Sequence, residues 1–403
     1  MTDFTASKTH NARAKVVVIG GGYSGTLAAN QLLVGGDGET PDITLVNPRP
    51  KFVERIRLHQ LLAGNHDASV DYGTLLGEGV RLVVDTATRI DTVARTVALA
   101  SARALEYDYV IYAVGSTGAV PAAVPGAAEF AYPVAELEQA QRARDALVEL
   151  HRDAPVTVVG GGLTGIEVAT ELAEQGRRVT LVCGGRLGPS LSAPGRRSVA
   201  KVMAKLRVAV LESDVVTEVR PDAVVFADGA VRPSALTIWT AGFGVPDLAA
   251  TSGLRTDAMG RLLTDETLTS VSDTRIIATG DCASPSGVPL RMCCATASQL
   301  GPQAGNTVLS RIAGAEPAVL EYGFAGNSCT SLGRRAGILQ FGRSDNTQIN
   351  AYLGGRVAAT VKEIICRGTI WGLRRQAGKP GSAYFAKGAP RPGQRAFEEV
   401  AGT

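Results

Sequence analysis

The feature that most constrains this chain is a strand-like run near the N-terminus that leads directly into a cluster of glycines. Residues 15–19 read Lys-Val-Val-Val-Ile, and Gly20, Gly22 and Gly25 follow with the spacing G-x-G-x-x-G. β-Branched residues favour a strand. The glycine spacing lets the backbone turn tightly, approach a pyrophosphate and start a closely packed helix. The stretch therefore predicts a strand–turn–helix unit whose helix N-terminus binds phosphate.

The same pattern occurs a second time, 140 residues further along the chain. Residues 155–159 read Pro-Val-Thr-Val-Val and lead into Gly160, Gly162 and Gly165. One glycine turn alone is weak evidence for a ligand, since glycine-rich turns also occur without one. Two such units in one chain predict two bound dinucleotides.

The residues that follow the next strand of each unit are unusual. An acid commonly stands there and holds the ribose hydroxyls, but this chain has Asn47 and Cys183. An amide should bind ribose more weakly than a carboxylate, and the alternative is that Asn47 caps a turn before Pro48. The lack of an acid at Cys183, with Arg186 nearby, favours a 2′-phosphate. We therefore expect NADPH to be used at least as well as NADH, although Arg186 as a surface arginine is the alternative.

Small-residue turns after three further strands extend the candidate site. The last strand ends at Asp281, whose carboxylate would accept a hydrogen bond from a ribityl hydroxyl at the carboxyl end of a sheet. Residues 52–60 predict a short helix over the ligand, where Arg57 could meet a phosphate or belong to a solvated basic face. The predicted cofactor-binding residues are Gly20, Gly22, Tyr23, Ser24, Gly25, Asn47, Arg57, Gly115, Gly160, Gly162, Thr164, Gly165, Arg186, Gly242, Gly280 and Asp281.

Composition limits the class of protein. A chain of 403 residues is too long for one hydrophobic core. No run of 18 apolar residues occurs, and residues 1–14 lack the apolar stretch of a signal peptide, so the expected location is cytoplasmic. The net charge of +3 does not indicate a nucleic-acid partner. The six cysteines lack zinc-site spacing, which predicts no metal site. Cys293 and Cys294 are interpreted as small buried residues near the ligand rather than as a vicinal disulfide.

The order of these motifs resembles that of the two-dinucleotide FAD/NAD(P)-dependent pyridine nucleotide oxidoreductases. It is most similar to the branch of type II NADH dehydrogenases and apoptosis-inducing factor, over roughly residues 15 to 340. The resemblance implies an α/β fold with two Rossmann-like domains and a C-terminal α+β region. It also implies noncovalent FAD on the first turn and NAD(P)H, as co-substrate, on the second. Glu167 would lie beside the nicotinamide and flavin as the catalytic residue, and the helix containing Ala297 would support the far edge of the flavin.

The resemblance also predicts domain limits and a function. Residues 1–118 and 259–315 would form the FAD domain, 119–258 the NAD(P)H domain, and 316–403 a C-terminal domain with a basic tail. The predicted activity passes hydride from NAD(P)H to flavin and electrons to a quinone-like or other small acceptor. No cysteine precedes Cys183, so the redox disulfide of the disulfide reductases is excluded. Two alternatives stay open: an FAD-dependent oxidase or dehydrogenase of a specific metabolite, and a nucleotide-bound redox sensor.

The C-terminal region suggests where the acceptor is met. Residues 356–395 contain nine basic residues and one acid, Glu363, with apolar residues among them. Such a mixture can rest on an anionic membrane surface. The alternative is a core element followed by a solvated tail, since Gly372 and Gly378 are expected to interrupt any long helix. We predict at most weak, salt-sensitive contact at the inner face of the membrane. A homodimer is retained as an option, because the motifs do not determine the oligomeric state.

Overall fold

A five-stranded parallel sheet carries the first glycine turn. The computed structural model describes residues 13–35, 40–322, 326–343, 347–383 and 389–390. In spatial order the strands of this first sheet are Ile276–Ala278, Tyr109–Tyr112, Lys15–Ile19, Asp42–Asn47 and Val80–Val84. Helices Tyr23–Leu32 and Cys294–Ile312 pack against each other. Their contact is close because it is made by small residues: a Cβ on Gly301 would lie 2.5 Å from the Ser24 carbonyl oxygen.

A second five-stranded parallel sheet carries the second glycine turn. Its strands, in spatial order, are Ala131–Pro133, Leu236–Trp239, Pro155–Val159, Arg178–Val182 and Ala209–Leu211. Its helices are Leu137–Glu149, Leu163–Glu174 and Ala193–Lys205. Most residues in the strands of both sheets are apolar, as is expected where helices and loops cover both faces of a parallel sheet.

Each five-stranded sheet and the helices that pack on it form one unit, and shorter elements complete the first and the second unit. Three-stranded antiparallel sheets are formed by Ala87–Asp91, Thr96–Leu99 and Ala104–Glu106, and by Val216–Val219, Ala223–Phe226 and Val231–Pro233. Two-stranded pairs join Lys51–Val53 with Ser69–Asp71, Thr117–Gly118 with Phe243–Gly244, Leu262–Thr264 with Ala283–Pro285, and Glu321–Tyr322 with Ala389–Pro390. Short helices are Leu58–Leu62, Ala127–Phe130 and Leu248–Thr251, and 3₁₀ turns are Arg55–Arg57, Tyr72–Thr74 and Gly280–Cys282.

The predicted helix over residues 52–60 is wrong in its first half. Lys51–Val53 is a strand, a 3₁₀ turn covers Arg55–Arg57, and only Leu58–Leu62 is α-helical. Phe52 is fully buried and pairs with Val70 of the opposite strand, so its apolar side chain belongs to a sheet and not to a helix face. Edge-to-face packing of Phe52 on Tyr23 links this strand to the first glycine turn.

The C-terminal region consists of an antiparallel sheet and one long helix. The strands are Ser328–Ser331, Gly337–Gly342 and Gln348–Gly354, and the helix is Gly355–Gly378. The expectation that Gly372 would interrupt a long helix is therefore wrong. Each interior glycine costs about 1 kcal/mol relative to alanine, and burial of an inner face offsets that cost. That face comprises Ala358, Cys366, Ile370, Leu373 and Gln376.

The architecture confirms the predicted α/β fold class. The first sheet takes strands from residues 15–112 and 276–278, which flank those of the second sheet at 131–239. Among the described residues, no helix combines the length and apolar character needed to cross a membrane. The basic residues Lys387, Arg391 and Arg395 of the predicted tail lie outside the described residues.

Candidate active site

The backbone of the first glycine turn packs tightly against the protein on one side and is open on the other. We call this open side the cradle. Gly20 has a φ of +103°, and a Cβ there would lie 2.3 Å from the Ala113 carbonyl oxygen. A Cβ on Gly25 would lie 1.8 Å from the Gly20 oxygen, so glycine is required at both positions. A Cβ on Gly22 would meet nothing within 4 Å, and no side chain caps the helix that starts after it. The cradle therefore has room and free N–H groups for a phosphate.

Two side chains hold this turn from beneath. The Tyr72 hydroxyl donates to the Gly21 carbonyl oxygen at 2.6 Å, and Asn47 Oδ1 accepts from the Gly21 N–H at 3.0 Å. Asn47 Nδ2 donates to the Arg49 carbonyl oxygen at 2.7 Å. Asn47 is thus bonded to the turn as well as bordering the cavity, and its contact with ribose stays a prediction.

The second glycine turn repeats this construction. Gly160 has a φ of +122°, and a Cβ there would lie 2.6 Å from Thr240 Oγ1. A Cβ on Gly165 would lie 1.9 Å from the Gly160 oxygen, whereas one on Gly162 would meet nothing within 4 Å. The helix Leu163–Glu174 likewise has no side-chain cap. The protein therefore contains two cradles suited to phosphate.

A cavity of about 760 Å³ lies between the two units. This volume is within the range typical of small-molecule sites. Predicted residues that line it are Gly20, Gly22, Tyr23, Ser24, Asn47, Gly115, Thr164, Glu167, Gly242, Asp281 and Ala297. Predicted residues that do not line it are Gly25, Arg57, Gly160, Gly162, Gly165, Arg186 and Gly280. Gly25, Gly160 and Gly165 instead act through backbone packing beneath the turns.

Asp281 presents an unsatisfied acceptor at this cavity. Its Oδ2 accepts a hydrogen bond of 2.6 Å from the Ser116 hydroxyl, and Arg55 donates to the Ser116 carbonyl oxygen at 2.7 Å. Asp281 Oδ1 is buried and has no partner among the described residues. A buried unpaired carboxylate oxygen is costly, so a ligand hydroxyl is the expected partner. The residues present therefore fit the ribityl chain of FAD, as the sequence predicts.

Arg57 does not meet a phosphate, contrary to the prediction. Its guanidinium is buried and makes two hydrogen bonds of 3.0 Å to Glu363 of the C-terminal helix. Its Nε also donates to Glu54 at 3.3 Å. A buried guanidinium needs carboxylate partners to offset its desolvation, and Arg57 has found them within the protein. Arg186 is exposed.

Glu167 lies in a buried polar cluster that the C-terminal helix completes. Lys362 Nζ is 3.0 Å from Glu167 Oε1, and the Ser331 backbone N–H donates to the same oxygen at 3.0 Å. His59 Nδ1 is 3.7 Å from Glu167 Oε2. Lys362 also donates to the Cys329 carbonyl oxygen at 3.1 Å. Glu167, His59 and Lys362 all line the cavity.

The environment fixes the charge of each group in this cluster. Burial would raise the pKa of Glu167, but Lys362 and His59 outweigh it and the pKa is lowered. Burial would lower the pKa of Lys362, but the Glu167 carboxylate outweighs it and the pKa is raised. For His59, burial dominates and lowers the pKa to about 4. At neutral pH this cluster therefore carries the Glu167–Lys362 ion pair and a neutral His59 imidazole.

The cysteines near the cavity are free thiols. Cys293 and Cys294 are half-buried and line the cavity, in agreement with their interpretation as small residues and not a disulfide. Burial raises the pKa of Cys294 to about 12, so its thiol stays protonated. This is unlike the low-pKa thiol of a reactive cysteine.

Sequence reasoning missed several residues that line the cavity. Among them are His59, Ser116 and Lys362. Ser116 follows Gly115 directly, so its place at a strand end offered a local signal. Lys362 and His59 offered none, because their partner Glu167 is more than 100 residues away from each of them in the chain.

Comparison with known proteins identifies a family and several relatives. A family model described as pyridine nucleotide-disulphide oxidoreductase matches residues 4–303. The NADH dehydrogenase-like protein YutJ of Bacillus subtilis is 29% identical over 67% of this chain and 77% of its own. The type II NADH:quinone oxidoreductase of Haemophilus influenzae is 25% identical over 66% of this chain and 73% of its own.

A solved structure is similar in fold. The sulfide:quinone oxidoreductase of Aquifex aeolicus superposes with a TM-score of 0.75 at 20% identity, covering 94% of this chain and 99% of its own. The predicted cofactors, FAD with NAD(P)H as co-substrate, are confirmed by the family that matches. Because the family model covers about three quarters of the sequence, the chain belongs to the pyridine nucleotide-disulphide oxidoreductase family.

Proposed function

We propose that this protein is an FAD-dependent NAD(P)H oxidoreductase that delivers electrons to a small, quinone-like acceptor. One observation carries the proposal. A single cavity borders the first glycine turn, Asp281, whose Oδ1 has no partner among the described residues, and the buried Glu167–Lys362 ion pair of the second unit and C-terminal helix. A site for flavin and a site for proton or charge chemistry therefore share one enclosed volume. The quinone acceptor of the Haemophilus influenzae relative supports the class of acceptor.

Residues of the first unit would hold FAD. The N–H groups above Gly22 bind the pyrophosphate, and Asp281 Oδ1 accepts a ribityl hydroxyl. The chemistry that bound FAD supplies is two-electron transfer from NAD(P)H to the acceptor. Arg55 and Ser116 fix the orientation of Asp281 through their hydrogen bonds. The 19-residue helix that opens at Cys294 directs its positive dipole end toward the cavity, where it stabilises negative charge.

Residues of the second unit would bind and orient NAD(P)H. The N–H groups above Gly162 bind its pyrophosphate, and Thr164 borders the cavity at the start of the same helix. Glu167 follows one turn later, with its carboxylate fixed by the Ser331 N–H and by Lys362. An ionised, immobilised carboxylate can orient the polar group of a nicotinamide without reorganising during the reaction.

Lys362 would supply the positive charge of the site. Its ammonium lines the cavity and stays protonated, since its pKa is raised by Glu167. Reduction of a quinone-like acceptor places negative charge on oxygen, and a preorganised cation stabilises that charge. Cys294 keeps its proton, so no thiolate is assigned a step.

The test begins with the purified protein and its flavin spectrum. Anaerobic addition of NADH or NADPH should bleach the flavin, and a water-soluble quinone should then restore the colour with steady turnover. A colourless protein that cannot be reconstituted contradicts the proposal. Bleaching without quinone turnover favours the redox sensor. Resistance to both nucleotides favours an oxidase or dehydrogenase of a specific metabolite.

Variants at the ion pair test its role. Lys362→Met should lower quinone turnover by about 100-fold while FAD is retained. Because a buried unpaired Glu167 is destabilising, the neutral double variant Glu167→Gln/Lys362→Met controls for folding and should stay inactive. Lys201→Met, which removes an exposed lysine, is the matched control. Full turnover in the folded double variant would contradict the assignment.

The outer face of the C-terminal helix is the proposed point of contact with a membrane surface. Val357, Ile364 and Trp371 recur at seven-residue spacing and are 60%, 62% and 61% exposed. Arg375 lies over the Trp371 ring at 5.3 Å, and the Arg367 side chain is 78% exposed. An apolar stripe flanked by arginines suits an anionic lipid surface. We expect weak binding, because only one turn in two offers an apolar side chain.

Liposome co-sedimentation tests this contact. Anionic vesicles should retain part of the protein at low salt and much less at high salt, since each basic residue contributes about 1 kcal/mol near such a surface. Ile364→Ser/Trp371→Ser should lower binding at both salt concentrations, whereas Val93→Ser, at another exposed apolar residue, should not. Equal binding by all three proteins would contradict the assignment.

A further inference from the structure

The loop that follows the strand Arg178–Val182 wraps around the second glycine turn. A Cβ on Gly161 would lie 2.7 Å from the Cβ of Cys183, so Cys183 abuts the turn directly. Further along the loop, the Gly188 N–H donates to the Gly161 carbonyl oxygen at 2.8 Å. In a unit of this kind the adenosine ribose is read where the second strand ends. The surroundings of Cys183 therefore determine which nucleotide is accepted.

A second segment is joined to this loop by backbone hydrogen bonds. Cys183 N–H donates to the Leu211 carbonyl oxygen at 2.8 Å, and the Gly185 N–H donates to that of Glu212 at 2.6 Å. The strand Ala209–Leu211 is the parallel neighbour of Arg178–Val182. Glu212 follows it immediately, so an acid reaches the same sheet edge from the adjacent strand.

The Glu212 side chain is held at this edge. Its Oε2 accepts a hydrogen bond of 3.1 Å from the Leu187 backbone N–H. The pKa of Cys183 is raised to about 11, first by burial and then by the negative charge of Glu212. The carboxylate is therefore close enough to the end of the strand to act on it electrostatically.

We propose that Glu212 supplies the carboxylate that position 183 lacks, and that it makes NADH the preferred co-substrate by repelling a 2′-phosphate. This inference rests on the proposed function, which assigns NAD(P)H to the second turn. It replaces the expectation of NADPH use, which assumed that no acid stands near Cys183. Arg186 opposes Glu212, but its exposed side chain has no partner among the described residues and must lose rotamer freedom to pair with phosphate. Glu212 is already oriented by Leu187.

The experiment compares NADH with NADPH in Glu212→Gln. Glutamine keeps an acceptor for the Leu187 N–H and removes only the charge. The ratio of kcat/KM for NADPH to that for NADH should rise about tenfold, and calorimetry should show the same rise for NADP⁺ binding relative to NAD⁺. Arg186→Ala should shift both ratios the opposite way. Glu149→Gln, at an exposed acid that ends the helix Leu137–Glu149, is the matched control.

The outcomes separate this inference from the proposed function. An unchanged ratio in Glu212→Gln, or a wild-type preference for NADPH, overturns the role of Glu212 while leaving the oxidoreductase intact. Failure of both nucleotides to bind or to bleach the flavin of the wild-type protein overturns the proposed function and this inference with it.

Discussion

The two glycine turns have the same backbone plan and very different surroundings. The first borders the cavity, and Gly21 is held by the side chains of Tyr72 and Asn47. At the second, the corresponding Gly161 is bonded by a backbone N–H from a loop whose residues 184–186 are exposed. Gly160 and Gly162 do not border the cavity.

This contrast teaches that an anion cradle by itself does not decide how long a ligand stays. Both turns offer uncapped N–H groups and open space above the middle glycine. What differs is the enclosure around them, which we expect to slow release at the first turn and to leave the second accessible. A cofactor that remains bound needs the first arrangement, and a co-substrate that leaves after each turnover needs the second.

The largest expected effect comes from adding a methyl group to each cradle, one variant at a time. Gly22→Ala and Gly162→Ala should both fold, because each φ is about −74° and, apart from the adjacent residues, no atom of the described chain lies within 4 Å of the added Cβ. The first variant should be purified without FAD. The second should keep FAD and bind NAD(P)H at least tenfold more weakly, since its pyrophosphate loses close contact with the turn. Flavin absorbance and calorimetry give the two readouts.

Each of these variants is the control for the other. If both lose FAD, or if neither affects a ligand, the assignment of one dinucleotide to each turn is wrong. If Gly162→Ala alone loses FAD, the two ligands have been assigned in the wrong order.

The pH dependence of folding stability tests the junction between the two units rather than the glycine turns. At this junction His59 Nδ1 lies 3.7 Å from Glu167 Oε2. Burial lowers the pKa of His59 to about 4 from its ordinary value of 6.5. Below pH 6.5 the unfolded chain takes up this proton and the folded protein does not, so folding is progressively disfavoured until about pH 4. The loss amounts to about 3 kcal/mol. The contribution of the neutral His59 to stability is therefore fully present above pH 6.5.

Urea unfolding at pH 7 and pH 4.5 measures this effect. His59→Gln should reduce the acid sensitivity of the free energy of unfolding, whereas His66→Gln, at a partly exposed histidine, should leave it unchanged. An identical pH dependence in the His59 variant and the wild-type protein would contradict the assignment.

A smaller effect is expected from Asp281→Ala, which acts on the first turn's ligand alone. Loss of one charged hydrogen bond should weaken FAD binding by about 1.5–3 kcal/mol, seen as flavin lost on dilution. Asp281→Asn should lose less, because the amide oxygen remains an acceptor. NAD(P)H affinity of the reconstituted protein should not change. A change in NAD(P)H affinity with undiminished flavin retention would contradict the assignment of Asp281 to the ligand of the first turn.

The sequence was most informative where structure is local. Gly20 and Gly25 were predictable because their roles depend on contacts within one strand–turn–helix unit. Asp281 was predictable for the same reason, since the end of a parallel strand places it at the ligand edge of the sheet. The spacing of residues in the chain is then enough to define their positions in space.

The remaining features depend on contacts between distant parts of the chain. Arg57 pairs with Glu363, which is 306 positions away, so no local pattern distinguishes it from a phosphate-binding arginine. The C-terminal helix continues through Gly372 because its inner face is buried by other elements, and propensity alone does not include that gain. Glu212 was missed because its strand adjoins Arg178–Val182 only in the folded sheet.

Two consecutive residues of the C-terminal helix form ion pairs with different units of the protein. Lys362 pairs with Glu167 of the second unit, and Glu363 pairs with Arg57 of the first. Separating the units would break both pairs at once, and breaking the buried Lys362–Glu167 pair alone costs about 3–5 kcal/mol. The two units should therefore melt in one calorimetric transition, although each has its own sheet. In Lys362→Met/Glu363→Gln, that single peak should resolve into two, because the helix would no longer couple the unfolding of the two units.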